Sequence, residues 1–265
     1  MEHGTCSLTR TESEPATENL FEDCAWIYAL CREHLFRDHT DEIVQALFPD
    51  GTPSKQASLL EVGCGPGFYS RRLARRFPDL TVLGVDRSSR LVTSARRRAA
   101  ADRLTNCRFL EGEVECLAAF VEPVDAVISS RLFLVVANQR DVMAEMFRVL
   151  KPGGRLFLAE PTANFKTHLP LSAMRLAAYL MPSSGTRTVT QNAQILGSRD
   201  FENLVHSQPW RNCSFQMYGD YQCAICEKEP VSVPVANPML SLCTAVPRSL
   251  SGGWHSVLSD SRSSA

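Results

Sequence analysis

The stretch Leu59-Leu60-Glu61-Val62-Gly63-Cys64-Gly65-Pro66-Gly67-Phe68-Tyr69 passes from an apolar strand pattern, through a glycine-rich turn, into a helical pattern. Glycines at such a turn permit a sharp reversal and let a ligand approach the backbone closely. The next apolar run, Val82-Leu83-Gly84-Val85, ends on an acidic residue, Asp86. A carboxylate there can accept hydrogen bonds from both hydroxyls of a ribose. The two features together describe a nucleoside-bearing ligand lying across the carboxyl ends of a sheet. A dinucleotide fingerprint, G-x-G-x-x-G, would need glycine at position 68, where Phe68 stands, so an NAD-binding oxidoreductase is disfavoured.

The rest of the pattern supplies elements to position these residues. Apolar strand candidates at 58–62, 81–85, 107–111, 126–129 and 155–160 alternate with helix candidates at 69–77, 89–101, 115–120 and 138–150. This alternation predicts right-handed crossovers and a parallel sheet covered on both faces. Residues 20–48 read as one long helix or two shorter ones, ended by Pro49-Asp50-Gly51-Thr52-Pro53. A helix at 199–207 and two strands at 214–218 and 222–227, joined at Gly219-Asp220, predict a terminal antiparallel hairpin. Residues 1–19 and 230–265 lack hydrophobic periodicity and read as a disordered segment and a disordered tail.

The spacing G-x-G-x-G, with Glu61 two residues before its first glycine, resembles motif I of class I S-adenosylmethionine-dependent methyltransferases. Glu111-Gly112-Glu113-Val114-Glu115, Asp125-Ala126-Val127-Ile128-Ser129 and Phe147-Arg148-Val149-Leu150-Lys151-Pro152-Gly153-Gly154-Arg155-Leu156 resemble three further segments of that family, in the family's order. The last run is closest to the ubiquinone/menaquinone-biosynthesis methyltransferase-like group of small-molecule enzymes. The resemblance implies an α/β, Rossmann-like, seven-stranded, mostly parallel sheet with helices on both faces, spanning 20–229. It implies S-adenosylmethionine as cofactor and assigns Glu61, Gly63, Gly65 and Gly67 to the loop around its amino-acid portion. Asp86 then falls at the ribose position, Glu113 and Val114 at the adenine, and Ser129 and Arg131 toward the methionine end or the substrate. Residues 20–50 become a helical cap and 169–182 a lid.

Methyl transfer is an in-line displacement at a sulfonium, which a protein promotes by alignment and exclusion of water. A general base is needed only when the acceptor still carries a proton. Candidate bases are His168, just past the fifth strand, then His34 and His39, with Tyr28, Tyr69 and Tyr221. The segment 169–181 is apolar around most of its circumference and fits a pocket for a small apolar or aromatic metabolite. The fourth strand ends Ile128-Ser129-Ser130-Arg131, without the Pro-Pro-aromatic or Pro-Cys signatures of many nucleic-acid methylases.

Composition narrows the remaining classes. The chain has 265 residues, 28 basic against 29 acidic, and is 44% apolar and 22% charged. That balance disfavours a protein held mainly by nucleic-acid phosphates. No apolar run suits a transmembrane helix, and the acidic N-terminus fits no leader, so a soluble cytoplasmic protein is expected. Eleven arginines against three aspartates in 71–108 nevertheless leave an RNA methyltransferase as an alternative, beside a non-catalytic cofactor-fold protein. The ten cysteines are scattered, and the C-x-x-C at Cys223 and Cys226 lies in a strand, where its members point to opposite faces. Reduced thiols are the expectation; the oligomeric state is left open.

Overall fold

Leu59, Leu60 and Val62 have no exposed surface, so the strand Ser58–Val62 is buried on both faces and must be covered by helices on each. The computed structural model describes residues 25–34, 36–162 and 195–231. Within them, α1 (Ala25–His34) and α2 (Thr40–Leu47) precede β1 (Ser58–Val62), α3 (Phe68–Arg76), β2 (Thr81–Asp86), α4 (Ser89–Ala101) and β3 (Cys107–Glu111). A 3-10 helix (Val114–Ala119), β4 (Val124–Ser130), α5 (Gln139–Val149), β5 (Leu150–Pro161), α6 (Ser198–Val205), β6 (Trp210–Tyr218) and β7 (Tyr221–Lys228) complete the order. The expected lid 169–182, His168, residues 1–24 and the chain beyond Val231 lie outside the described residues.

The strands form one sheet in the order β3-β2-β1-β4-β5-β7-β6. The first five are parallel; β7 is antiparallel to both β5 and β6. Chain progression reverses between β1 and β4, and ligands of open α/β sheets bind at the carboxyl ends beside such a switch point. Alternate strand residues feed two cores. Leu59, Val82, Phe109 and Phe157 pack with Ile43, Leu73 and Val92 under α2, α3 and α4. Leu60, Leu156 and Leu158 pack with Val142, Met146 and Phe201 under α5 and α6.

The expected α/β order is present, with differences at element ends. The N-terminal helical run is two helices, because Asp38 Oδ1 accepts from the backbone N–H of Thr40 at 3.0 Å and its hydroxyl at 2.5 Å, stopping one helix and starting the next. The Lys-Pro-Gly-Gly turn is absorbed into a longer β5, and 115–120 winds as a 3-10 helix rather than an α-helix.

The expectation of reduced thiols throughout needs correction. Cys213 stands directly opposite Cys226 across the β6–β7 pair, with Cα atoms 4.2 Å apart, and the two form a disulfide. Cys116 is also disulfide-bonded, while Cys31, Cys64, Cys107 and Cys223 are buried free thiols. Cys223 and Cys226 do fall in opposite cores, as strand alternation requires.

Several arginines of 71–108 turn inward to carboxylates. Glu33 pairs with Arg71 and, at 2.7 Å, with Arg98; Asp102 pairs with Arg71 at 2.9 Å and Arg75 at 2.6 Å. Asp38 meets Arg72 and Asp41 meets Arg76, so these pairs fasten α1 and α2 to α3 and α4. Asp102→Asn is therefore expected to cost about 0.5–1 kcal/mol in urea unfolding, a loss that shrinks in molar salt. An equal loss at both salt concentrations would mean that Asp102 does not act through charge. Among the described residues, no helix is long and apolar enough to cross a membrane.

Candidate active site

At the carboxyl end of β1 the backbone turns through Gly63, Gly65 and Gly67, with φ of 71°, 51° and 72°. These left-handed values favour glycine. Space makes the same demand: a Cβ on Gly63 would lie 2.8 Å from Leu132 Cδ1, and one on Gly67 2.6 Å from the Phe109 ring. The N–H groups of Gly63 and Cys64 both donate to Val85 O, at 2.9 and 3.0 Å, tying the loop to β2. Asp86 then takes hold of the loop. Its Oδ2 accepts from Gly65 N–H at 2.7 Å and its Oδ1 from Ser88 N–H at 2.9 Å. Each carboxylate oxygen has more than one acceptor direction, so this staple leaves capacity for ribose hydroxyls. Gly112 N–H donates to Asp86 O at 3.1 Å, which sets Glu113 and Val114 beside the same strand end. Glu113 is exposed and Val114 buried.

Glu61 is turned inward. Its Oε2 accepts from Ser70 N–H at 2.8 Å and from the Ser70 hydroxyl, fixing the first turn of α3 under the loop. Burial pushes its carboxyl up to about 7, against the lowering effect of those hydrogen bonds. Ser129 is also internal: its hydroxyl donates to Val62 O at 3.0 Å, bridging β4 to the last residue before the glycine loop. It braces the loop from below, where the resemblance placed it toward the methionine end or the substrate.

Beside this loop lies a buried polar cluster. Arg32 of α1 is 5% exposed and stacks over Phe68 and Tyr69, at 4.0 and 4.3 Å from the ring centres. Arg131, at φ 63° just past β4, lies 3.9 Å over Phe36 and donates from Nη1 to the Tyr221 hydroxyl at 3.1 Å. His39 has no exposed surface and stands edge-on to Tyr221, with ring centres 4.7 Å apart; burial lowers its pKa to about 4. Glu160 Oε1 accepts from Leu132 N–H at 2.8 Å and Phe133 N–H at 3.1 Å, shaping the loop after β4.

Of the candidate bases, the fold thus brings together His39, Tyr69 and Tyr221. His34 is exposed, and His168 and the Tyr28 side chain lie outside the described residues. Arg32 and Glu160 were not singled out as site residues from sequence. A basic residue within the apolar stripe of Ala29 and Cys31 was the available signal for Arg32; the glutamate closing Leu156-Phe157-Leu158-Ala159 was the signal for Glu160.

Residues 53–206, more than half of the chain, match the family model for a methyltransferase domain. The chain belongs to the class I S-adenosylmethionine-dependent methyltransferases. Within that family it is 36% identical to a demethylmenaquinone methyltransferase of Deinococcus radiodurans over 49% of this chain and 57% of that one. It is 31% identical to a trans-aconitate 2-methyltransferase of the same organism, over 44% of this chain and 42% of the other. Of its curated relatives, the first three are matched over 37–45% of their own length. The methyltransferase fold is shared with phosphoethanolamine N-methyltransferase 2 of Haemonchus contortus, solved with S-adenosyl-L-methionine, at a TM-score of 0.59. That likeness spans 83% of this chain and 61% of the other at 13% identity.

The residues present fit the family's cofactor. Gly63, Gly65 and Gly67 turn in the left-handed region without side chains at the end of β1, and Arg32 Nη2 is buried near them without a hydrogen-bond partner. A buried guanidinium nitrogen in that state suits a carboxylate brought by a ligand.

Proposed function

We propose that this chain transfers a methyl group from S-adenosylmethionine to a small apolar or aromatic metabolite. The observation carrying this reading is the Asp86 carboxylate stapled to Gly65 N–H at the carboxyl ends of β1 and β2, between the glycine loop and the Glu113–Val114 turn. When bound, the cofactor supplies an electrophilic methyl on a sulfonium. Gly63, Gly65 and Gly67 would lie along its amino-acid portion, with Arg32 on the carboxylate. Asp86 would hold the ribose, with Glu113 and the Val114 N–H at the adenine. Glu61 and Ser129 act one layer below, by holding Ser70 and Val62 and keeping the loop in register. The acceptor would lie over the ends of β4 and β5, where the rings of Phe36, Tyr69 and Tyr221 offer flat apolar surface. His168 is retained as the proposed base for an acceptor that must lose a proton. The domain is proposed to run from 20 to 229, with 20–50 as its cap and 169–182 as its lid. Soluble, cytoplasmic action without nucleic acid completes the proposal; it is favoured by the pairing of Arg71, Arg72, Arg75, Arg76 and Arg98 with carboxylates.

Calorimetric titration with S-adenosylmethionine, S-adenosylhomocysteine and NAD tests the cofactor half. Binding of both adenosyl ligands is expected, weakened at least tenfold in Asp86→Ala, since a hydrogen bond to a charged group contributes about 1.5–3 kcal/mol. The shape-conserving Asp86→Asn separates lost charge from a collapsed loop. Silence with both ligands in folded protein would sink the reading, and NAD binding alone would replace it with an oxidoreductase.

A further inference from the structure

We infer that Glu145 of α5 is a positioning residue for the cofactor's base: its carboxylate holds the 3-10 helix Val114–Ala119 so that Glu113 and the Val114 N–H meet the adenine edge in register. The inference rests on the methyltransferase reading above and extends it to a residue behind the site.

Glu145 is 6% exposed, on the face of α5 that buries Val142, Met143, Met146 and Val149. A carboxylate in such a row is costly unless its oxygens are met. Both are. Oε1 pairs with Arg148 one turn on, while Oε2 reaches out of the helix and accepts from Ala118 N–H at 2.8 Å. The ion pair is local to α5; the second bond ties α5 to the segment that leaves β3.

That segment needs an acceptor from another element. Cys116 has φ −132° and ψ 27°, which breaks the 3-10 helix into two pieces. Cys116 N–H closes the first on Glu113 O at 3.2 Å; Phe120 and Val121 N–H close the second on Leu117 O at 3.1 and 2.8 Å. Ala118 falls in the opening turn of the second piece, where a helical N–H has no partner within its own helix. A carboxylate is the strongest acceptor a side chain offers. Cys116 is also disulfide-bonded, which restrains the segment without satisfying Ala118 N–H.

The segment's other anchors lie elsewhere. Gly112 N–H donates to Asp86 O at 3.1 Å, on the ribose side. The Phe120 ring folds back on Gly112, 2.7 Å from where a Cβ would stand. Val114 and Leu117 pack with Val142, Met143 and Met146. Removing the Glu145 acceptor would therefore leave the ribose-side anchor in place and loosen the turn that faces the base. Adenine presents an amino donor and a ring-nitrogen acceptor; hypoxanthine presents a carbonyl acceptor and a ring N–H donor. A fixed carboxylate beside a fixed N–H tells the two apart, because the wrong base leaves both unpaired.

The test uses the full chain, titrated calorimetrically with S-adenosylhomocysteine and with S-inosylhomocysteine, which differ only at the base. Wild type is expected to prefer the adenosyl ligand about tenfold or more. Glu145→Met keeps the side-chain volume and removes the acceptor. It should cut that preference to about threefold or less by weakening the adenosyl ligand, with S-inosylhomocysteine affinity unchanged. Glu145→Gln keeps an oxygen in place and should restore most of the preference. A full preference in Glu145→Met, an equal weakening of both ligands, or no recovery in Glu145→Gln would each overturn the positioning role while leaving the cofactor reading intact. Amide exchange in the wild-type chain needs no variant: Ala118 N–H is expected to exchange about a hundredfold slower than an exposed amide, and free exchange there would overturn the inference. Equal wild-type affinity for the two ligands would likewise overturn the inference alone. Failure of the wild-type chain to take up either ligand would overturn the methyltransferase reading with it.

Discussion

Gly67→Ala is expected to destabilise the chain by about 2–5 kcal/mol and to abolish adenosyl-ligand binding. The first part of the cost is conformational: at φ 72° an L-residue pays about 1–2 kcal/mol for a left-handed backbone. The second is steric. The new methyl would meet Phe109 Cε1 and Cζ at 2.6 Å and Ala95 Cβ at 3.1 Å. Phe109, on β3, is 4% exposed in the core it shares with Val82 of β2 and Ala95 of α4, so the added methyl overpacks that core, at a cost of about 1–3 kcal/mol. Gly51→Ala is the internal control. Its φ is 76°, but nothing lies within 4 Å of the added carbon, so only the conformational cost remains. Urea midpoints measured at constant slope separate the two variants, and equal losses would remove the steric argument.

Stability is expected to fall as pH rises from about 4.5 to about 7, by on the order of 3 kcal/mol for each of Glu61 and Glu160. Burial raises both carboxyls to about 7 in the folded chain from an ordinary value of 4.5, with backbone and side-chain donors offsetting only part of that effect. Between those values the folded state binds more protons than the unfolded one. Stability tied to these groups is therefore full below about 4.5 and is lost as pH passes through about 7. Glu160→Gln keeps an oxygen for the Leu132 and Phe133 N–H groups and cannot ionise. It should flatten the pH dependence and gain most over wild type near pH 8. A variant that parallels the wild-type pH curve would show that Glu160 ionises in the fold as readily as in the open chain.

The parts of the architecture carried by short-range pattern were legible. The run Leu59 to Tyr69 contains a strand, three glycines and a helix start in an order that few folds accommodate, and β1, α4 and β3 fall where apolar spacing places them. What sequence withheld depends on direction and distant packing. Ser129 lies near the expected site, yet strand pleating points its hydroxyl down to Val62 O. His34 and His39 are equivalent as letters; the Asp38–Thr40 break between α1 and α2 exposes one and buries the other. The disulfide was recoverable from the hairpin itself. A turn at Gly219-Asp220 pairs Tyr218 with Tyr221, and counting back along both strands sets Cys213 against Cys226. Arg32 meets Phe68 and Tyr69 only once α1 docks, a contact no local pattern encodes.

The hydrogen bond from Arg131 to Tyr221 spans 90 positions of chain, whereas Asp86 reaches Gly65 across 21. The two halves of the site therefore mature at different moments of synthesis. The ribose-side staple can close as soon as β2 has emerged and found β1, a short loop with a small closure cost. The side proposed for the acceptor must wait for β7 to insert between β5 and the last-but-one strand, β6, which makes Tyr221 the latest arrival among the residues brought together there. A nascent chain halted before that hairpin would carry the glycine cradle and lack the wall against which the acceptor is proposed to lie.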